Sequence, residues 1–265
     1  MTSLAEPALS AHGSVSHAER AYAREKVAHL ARFAPGPVLD VQIRLRREPD
    51  PARERPAVAE ACLDVDGRPV RSQVAAATMW EAIDLLEARL RRRLRRLADC
   101  SRSQALRHRD RGPDQWHHGD LHTHRPEYFD RPPEERALVR RKSFALEPET
   151  PDEAATDLEL LDHDFLLFRN ATTGEDNVIH RLPEGGYALI EPTPHADQLG
   201  SCASPINLAM RSPGRMALTD AIRLLDLSTE PFVFFIEART GRGNVVYRRY
   251  DGHYGLITPA EGAAR

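Results

Sequence analysis

The amino-acid sequence predicts an α+β protein, with one β-α-β-β-β-α domain followed by two small β-α-β-β-β modules. Alternating apolar residues, which are typical of half-buried strands, occur in several separate segments. Serine or threonine with glutamate three residues later, the signature of a capped helix start, precedes three of the predicted helices. A stretch of roughly 30 residues occurs twice, which indicates a duplicated structural unit.

The first predicted domain, residues 1–98, contains two helices and three central strands. Ser16 and Glu19 form a capping box that begins the first helix. Thr78 and Glu81 form a second capping box, which begins a long helix. Between the helices, alternating apolar residues predict strands that cover residues 39–46, 57–65 and 70–74. The first dozen residues carry a poor signal for a leading edge strand.

The long helix ends in a dense cluster of arginines. These charges form either a solvated face that complements the helix dipole or a surface that binds a phosphate backbone. The second interpretation is favoured because other basic side chains extend the patch and because arginine binds phosphate in a planar, bidentate way. The candidate RNA-binding residues are Arg24, Lys26, Arg44, Arg46, Arg71, Arg89, Arg92, Arg93 and Arg96.

Residues 99–137 are rich in Arg, Asp, His and Pro and predict an extended linker. His117, Asp120 and His122 could in principle ligate zinc. However, the segment has no Cys-x-x-Cys or His-Glu-x-x-His frame, so we interpret it as a polar connector without a metal.

The duplicated stretch defines two modules, residues 138–192 and 206–259, joined by a second linker at 193–205. Phe165–Pro192 aligns with Phe232–Pro259 without a gap, and about half of the positions are identical. Each copy predicts a three-stranded meander preceded by a helix and a leading strand. The predicted leading strands contain Phe144 and Leu146 in the first module, and Ile206, Leu208 and Met210 in the second. The predicted helices start at Thr150 with its capping box and at about Arg215, the latter extending to Asp226.

The first module resembles the C-terminal domain of the long ribosome hibernation promoting factors, also called the sigma-54 modulation or ribosomal protein S30Ae family. The resemblance rests on four motifs: Arg-Arg-Lys-x-Phe at 140–144, Asp-His-Asp-Phe at 162–165, Asn-Val at 177–178, and Gly-Tyr-x-Leu-Ile-Glu-Pro at 186–192. The second module is similar from about 206 to 259 but lacks the Arg-Arg-Lys opening. Two such modules in tandem look like an actinobacterial branch of the family.

The first domain is similar to the N-terminal domain of the same family, which is double-stranded-RNA-binding-like. Residues 15–33 look like its first helix, and residues 78–97 look like its last. The resemblance implies a ribosome hibernation factor that binds the small subunit of idle ribosomes near the mRNA and tRNA channel. Such a factor blocks translation and protects ribosomes under stress. The alternative is a non-catalytic interaction protein whose C-terminal pair binds a protein partner, with weak or no RNA binding.

In long members of the family, the C-terminal domain pairs with its copy on a second protein. Two modules in one chain are expected to pair with each other instead, because their linker gives an effective concentration on the order of mM. A homodimer is the alternative. The candidate pairing residues are Phe165, Phe168, Val178, Tyr187, Phe232, Phe235, Val245 and Tyr254.

Other function classes find no support in the sequence. There is no Walker loop and no Gly-x-Ser-x-Gly motif, so neither an enzyme nor a cofactor is predicted. The three scattered cysteines, Cys62, Cys100 and Cys202, indicate a reducing compartment. No signal peptide and no apolar run of membrane-spanning length are visible, so we expect a cytoplasmic protein. Because the net charge of −3 is close to zero, the positions of the charges say more about binding partners than their sum does.

Overall fold

The computed structural model describes residues 7–49, 54–107, 131–144, 146, 148–195, 202 and 204–260, with side chains given to residue 98 of the long helix. The described residues form a mixed α+β structure, as predicted, and contain three β-sheets. The chain divides into two compact units. The first unit contains the N-terminal domain and the four-residue segment Glu159–Asp162, and the second contains the rest of the two repeats.

The N-terminal domain has the predicted order of elements, including the leading strand. Its sheet has the strand order β1-β2-β3-β4, in which β1 runs parallel to β2 and the other neighbours are antiparallel. Its elements are β1 (Ala8–His12), α1 (His17–Ala28), a 3-10 helix (His29–Phe33), β2 (Val38–Arg47), β3 (Ala57–Val65), β4 (Arg68–Ala76) and α2 (Met79–Arg107).

Local signals explain why these elements begin and end where they do. Ser16 and Glu19 form the predicted reciprocal capping box at the start of α1. The turn between β3 and β4 places Asp66 at φ 53° and Gly67 at φ 82°, the left-handed conformation that suits a two-residue hairpin. Both helices pack on one face of the sheet, and the predicted apolar stripe of α2 is buried there; it comprises Ile83, Leu86, Leu90, Leu94 and Leu97.

The long helix α2 continues beyond residue 98, where the first domain was predicted to end. Residues 99–107 were assigned to the linker but form further helical turns. This stretch contains strong helix formers such as Ala105 and Leu106, and the first helix breakers are Gly112 and Pro113. The histidine-rich part of the predicted linker, including His117, lies outside the described residues. None of the helices in the described ranges combines the length and apolar character needed to span a bilayer.

The second unit contains two five-stranded sheets built from the two repeats. The first sheet has the order β10-β9-β8-β7-β6 and the second has the order β11-β12-β13-β14-β5. The elements of the first repeat are β5 (Leu138–Phe144), β6 (Pro148–Glu149), α3 (Pro151–Leu160), β7 (Phe165–Asn170), β8 (Asp176–Arg181) and β9 (Tyr187–Ile190). Those of the second are β10 (Ile206–Leu208), β11 (Gly214–Met216), α4 (Leu218–Leu227), β12 (Phe232–Glu237), β13 (Gly243–Arg248) and β14 (Tyr254–Pro259).

The two repeats exchange their leading strands. The sequence assigned β5 to the first module and β10 to the second, whereas β5 pairs with β14 and β10 pairs with β9, both in parallel. Ile206 fills the core of the first sheet, and Leu138 packs in the core of the second. Periodicity identifies a strand and its buried face but not the sheet that it joins. We therefore define the first module as the first sheet with α3, and the second module as the second sheet with α4.

Three smaller differences accompany this exchange. The short strands β6 and β11 precede the helices and were not predicted. Arg215 belongs to β11, so α4 begins at Leu218 rather than at Arg215. Met210 lies outside β10 and is fully exposed, although the sequence placed it on the buried side of a strand. The helix α3 has the predicted capping box of Thr150 and Glu153.

Each module has one face covered by its own helix and another that packs on its counterpart. Alternation along the strands separates these faces, because successive side chains point to opposite sides of a sheet. Helix α3 covers Phe168 and Ile179 in the first module, and α4 covers Phe235 and Val246 in the second. The opposite faces contribute to one shared apolar cluster, whose buried members are Leu167, Val178, Phe232, Phe234 and Val245.

Candidate functional site

The basic residues predicted to bind RNA do not form one continuous patch. Arg44, Arg46 and Arg71 alternate with core residues and lie on the sheet face opposite the helices. Two of them pair with acidic neighbours: Arg46 Nε lies 2.9 Å from Glu48 Oε1, and Arg71 Nη2 lies 2.9 Å from Glu60 Oε1. This sheet face therefore has mixed charge, and Arg44 is its exposed cation among the nine candidates.

Arg89 and Arg93 of α2 lie in the interior of the first unit. Arg93 Nη2 is 2.7 Å from Asp162 Oδ1, and Arg89 Nη2 is 3.1 Å from the same oxygen. Arg93 also donates to the carbonyl oxygen of Arg71, and Asp162 Oδ2 accepts the backbone N–H of Gln73. Backbone groups of the edge strand β4 thus form hydrogen bonds with the side chains of Arg93 and Asp162. The sequence gives no signal for it, since Arg93 and Asp162 are 69 residues apart.

The remaining candidates lie on the helices. Arg24 and Arg92 are exposed, whereas Arg96 Nη1 is 3.0 Å from Glu159 Oε2. Lys26 Nζ lies 2.9 Å from Asp84 Oδ1, and this hydrogen bond raises the pKa of the lysine. The same bond lowers the pKa of the Asp84 carboxyl. Lys26 therefore keeps its positive charge, and the carboxylate of Asp84 on the helix surface offsets that charge.

A second group of arginines surrounds the ring of Phe33, at the end of the 3-10 helix. The guanidinium carbons of Arg32, Arg91 and Arg95 lie 4.7, 5.2 and 5.3 Å from the ring centroid. Such distances are typical of cation–π contacts. We call these four residues the basic-aromatic cluster. None of these four residues is among the predicted RNA-binding residues. The sequence did contain a clue, because the aromatic Phe33 directly follows Arg32 and lies just before Pro35, where the helix ends.

The shared apolar cluster forms the contact between the two modules. The ring centroids of Phe165 and Phe232 are 4.5 Å apart. Phe165 also contacts Tyr247 at 5.6 Å, and Phe232 contacts His180 at 5.5 Å. These aromatic pairs lie within the range of favourable ring–ring contacts.

These contacts obey an approximate two-fold symmetry. In the alignment of the repeats, Phe165 corresponds to Phe232, and His180 corresponds to Tyr247. The contact of Phe165 with Tyr247 is therefore the symmetry counterpart of the contact of Phe232 with His180. A contact between equivalent residues, as between the two phenylalanines, occurs at the axis of an isologous interface.

The structure brings together four of the eight residues predicted to pair the modules. Phe165, Val178, Phe232 and Val245 belong to the shared apolar cluster. The other four point to the helix-covered faces, because they occupy alternate positions of the strands, and they fill the cores of their own modules; they are Phe168, Tyr187, Phe235 and Tyr254. The sequence identified them as apolar but not their side of the sheet.

A charged contact lies beside the shared apolar cluster. Arg242 Nε and Nη2 lie 2.8 and 3.0 Å from the two carboxylate oxygens of Asp176, in a bidentate arrangement. The backbone N–H of Gly243 also donates to Asp176 Oδ2, at 2.9 Å. The Asp176 side chain is only 6 % exposed, and this ion pair raises the pKa of Arg242. The carboxylate thus has both an arginine and a backbone donor from the other module.

One half-buried histidine, His180, also lies at this interface. Burial lowers the pKa of His180, since the charged imidazolium loses its hydration there. Its Nδ1 lies 3.1 Å from the carbonyl oxygen of Arg181, which opposes that effect. The lowered pKa favours the neutral form of His180, whose ring lies beside that of Phe232.

Comparison with protein families identifies both parts of the chain. The family model described as sigma 54 modulation protein / S30EA ribosomal protein matches residues 10–102. The model of the sigma 54 modulation/S30EA ribosomal protein C terminus matches twice, at residues 133–189 and 212–256. The matched ranges together cover more than half of the chain.

Two curated relatives cover most of the chain. The chain is 32% identical over 212 residues to the dormancy associated translation inhibitor of Mycobacterium tuberculosis, which covers 77% of this chain and 71% of the relative. It is 30% identical over 196 residues to the ribosome hibernation promotion factor of Bacillus subtilis, covering 68% of this chain and 94% of the relative.

Proposed function

The chain belongs to the sigma 54 modulation/S30EA ribosomal protein family, and from this premise we propose that it is a ribosome hibernation factor. The observation that carries the proposal is that both parts of the family match in order along one chain, with relatives named for translation inhibition and ribosome hibernation. The protein acts on idle cytoplasmic ribosomes as a regulator without catalysis. The alternative, an interaction protein with little RNA binding, is not favoured by these relatives.

The N-terminal domain is the ribosome-binding part of this proposal. Its β-α-β-β-β-α order supports a double-stranded-RNA-binding-like domain that contacts rRNA of the small subunit near the mRNA and tRNA channel. The exposed arginines supply the phosphate contacts, because their charge releases counterions from the RNA backbone. The proposed contact residues are Arg24, Arg44 and Arg92, joined by Arg32 and Arg95 of the basic-aromatic cluster.

The two modules pair with each other within one chain, and the factor therefore acts on single ribosomes. Three features support this pairing: the shared apolar cluster, the exchanged leading strands and the ion pair between Asp176 and Arg242. Internal pairing occupies the surface that would otherwise join two chains. The chain crosses between the two modules twice, from β5 to β6 and from β10 to β11, and this covalent connection gives the internal pair a high effective concentration.

Sedimentation with purified 70S ribosomes on sucrose gradients tests this function. We expect the protein to migrate with the 70S peak at low salt, to dissociate as salt rises, and to produce no faster peak. A peak of ribosome dimers would contradict internal pairing while supporting hibernation. Failure to migrate with ribosomes at low salt would contradict the hibernation function itself.

A further inference from the structure

The contact between Asp176 and Gly243 lies on the approximate two-fold axis that relates the modules. The gap-free alignment of the repeats pairs Glu175-Asp176 of the first with Arg242-Gly243 of the second. Asp176 and Gly243 are therefore equivalent positions, and the structure places them in direct contact. The two repeats are half identical elsewhere but differ here in both charge and size, at the point where each module meets its counterpart.

The fit at this position depends on the absence of a side chain at Gly243. A Cβ atom there would lie 2.7 Å from Asp176 Cβ and 2.7 Å from Phe234 Cε2, closer than such atoms approach. The space is filled by the Asp176 side chain, whose carboxylate reaches the Gly243 N–H and the Arg242 guanidinium. Size and charge are thus complementary between the modules.

We propose that Glu175-Asp176 and Arg242-Gly243 form a partner-selection site, which allows the first module to pair with the second and prevents either from pairing with a copy of itself. This inference rests on the internal pairing proposed above and names the residues that choose the partner. Selection of this kind combines attraction to the correct partner with repulsion of the wrong one.

Pairing of two first modules about the same axis would bring two Asp176 side chains together. Their Cβ atoms would lie about as close as the 2.7 Å between a Cβ on Gly243 and Asp176 Cβ, and two carboxylates would share a site that is almost entirely buried. Neighbouring buried carboxylates cannot both remain ionised without a large cost in free energy.

Pairing of two second modules has the opposite defect. Two Gly243 positions would face each other and leave the volume of the Asp176 side chain empty. The buried Gly243 N–H and the Arg242 guanidinium would both lose their carboxylate acceptor. An unpaired buried donor and a cavity each destabilise an interface.

We call Glu175-Asp176 the first signature and Arg242-Gly243 the second signature. Full-length variants in which one module carries the signature of the other test this proposal. Arg242→Glu with Gly243→Asp gives both modules the first signature, and Glu175→Arg with Asp176→Gly gives both the second. We expect the strands β7, β8, β12 and β13 of either variant to exchange amide hydrogens at least about tenfold faster than in the original chain. The chain with all four substitutions, which exchanges the signatures, should return to near the original rates.

Two further measurements complete the test. A mixture of the two single-signature chains should form a one-to-one complex by light scattering, because their modules complement each other. A matched control exchanges Thr172 and Arg239, which are equivalent, exposed positions in the neighbouring turns, and should leave the rates unchanged.

Different results overturn different parts of the argument. The proposal fails if the four-substitution chain exchanges as fast as the single-signature chains, or if a single-signature chain stays as protected as the original. If the original chain itself shows no protection in these strands, the internal pairing is wrong. Ribosome binding, measured separately by sedimentation, tests the hibernation function independently of this site.

Discussion

The ring of Tyr247 occupies the space that a side chain on its cross-strand partner Gly255 would need. A Cβ atom on Gly255 would lie 2.3 Å from Cζ of the ring. The equivalent cross-strand pair of the first module is His180 with Ala188. The larger ring of Tyr247 thus faces glycine in the second module, whereas the smaller ring of His180 faces alanine in the first.

Gly255→Ala should therefore destabilise the protein, although alanine is the residue at the equivalent position. We expect a loss of about 1–3 kcal/mol in the free energy of unfolding, since the ring must move within a packed interface. Adding Tyr247→His restores the pair of the first module and should recover most of the loss. Urea denaturation measures both, and equal stability of Gly255→Ala and the original chain would show that the ring can move freely.

Arg181 and Arg248, which are equivalent in the two repeats, hold the ends of the two helices. Arg248 Nη2 donates to the carbonyl oxygens of Leu225 and Ser228 at 2.6 and 2.9 Å, and Arg181 Nη2 donates to that of Leu158 at 3.3 Å. We expect Arg248→Ala to cost about 1–3 kcal/mol, because carbonyls at the end of α4 lose their donor.

The matched control is Arg223→Ala on the same helix, whose side chain is 77% exposed. Thermal unfolding should show a change of less than about 0.5 kcal/mol for this control. A comparable loss in both variants would indicate that the helix needs arginine for its overall charge rather than for its C-terminal carbonyls.

The half-buried His180 is expected to make the stability of the second unit sensitive to acid. Its pKa is lowered in the folded state by burial, so the unfolded chain binds the proton more readily. Stability contributed by neutral His180 is therefore fully present above the usual histidine pKa of about 6.5 and is lost as the pH falls towards the lowered value. Chemical denaturation at a series of pH values should show this loss between neutral and mildly acidic conditions.

His180→Tyr, combined with Ala188→Gly so that the larger ring faces the smaller partner as at positions 247 and 255, should weaken the dependence of stability on pH in that range. His17→Gln, at an exposed position on α1, is the control and should leave the dependence intact. An unchanged pH profile in the double variant would assign the acid sensitivity to other groups.

The basic-aromatic cluster should contribute to ribosome affinity. Arg32→Glu with Arg95→Glu is expected to weaken binding to 70S ribosomes by at least about tenfold at low salt and to reduce the salt slope by about one or two. Arg223→Glu with Arg239→Glu makes the same change in net charge at exposed positions of the second module and should retain binding. Equal affinity of both variants would place the RNA contact elsewhere on the domain.

Elements that depend on neighbouring residues could be predicted from the sequence. The capping boxes of Ser16 and Thr150 form as expected, and β3 has the predicted bounds of Ala57–Val65. These features depend on interactions within a few residues, which the sequence shows directly. The duplication was also visible, because corresponding positions need only be compared in order.

The sequence did not show which sheet faces and which distant side chains contact each other. Alternation shows that Phe165 and Phe168 lie on opposite faces, but not which face meets the other module. Arginine density predicts a basic surface, but it does not reveal that Arg93 is buried against Asp162.

The sequence by itself thus determined most of the secondary structure of the N-terminal domain, the repeat and the family. Only the tertiary structure showed that β5 and β10 exchange sheets. It also showed that Asp176 contacts Arg242 and Gly243, and that three arginines surround the ring of Phe33. The physical reason is that local patterns encode how deeply a residue is buried, whereas its partner depends on the packing of distant segments.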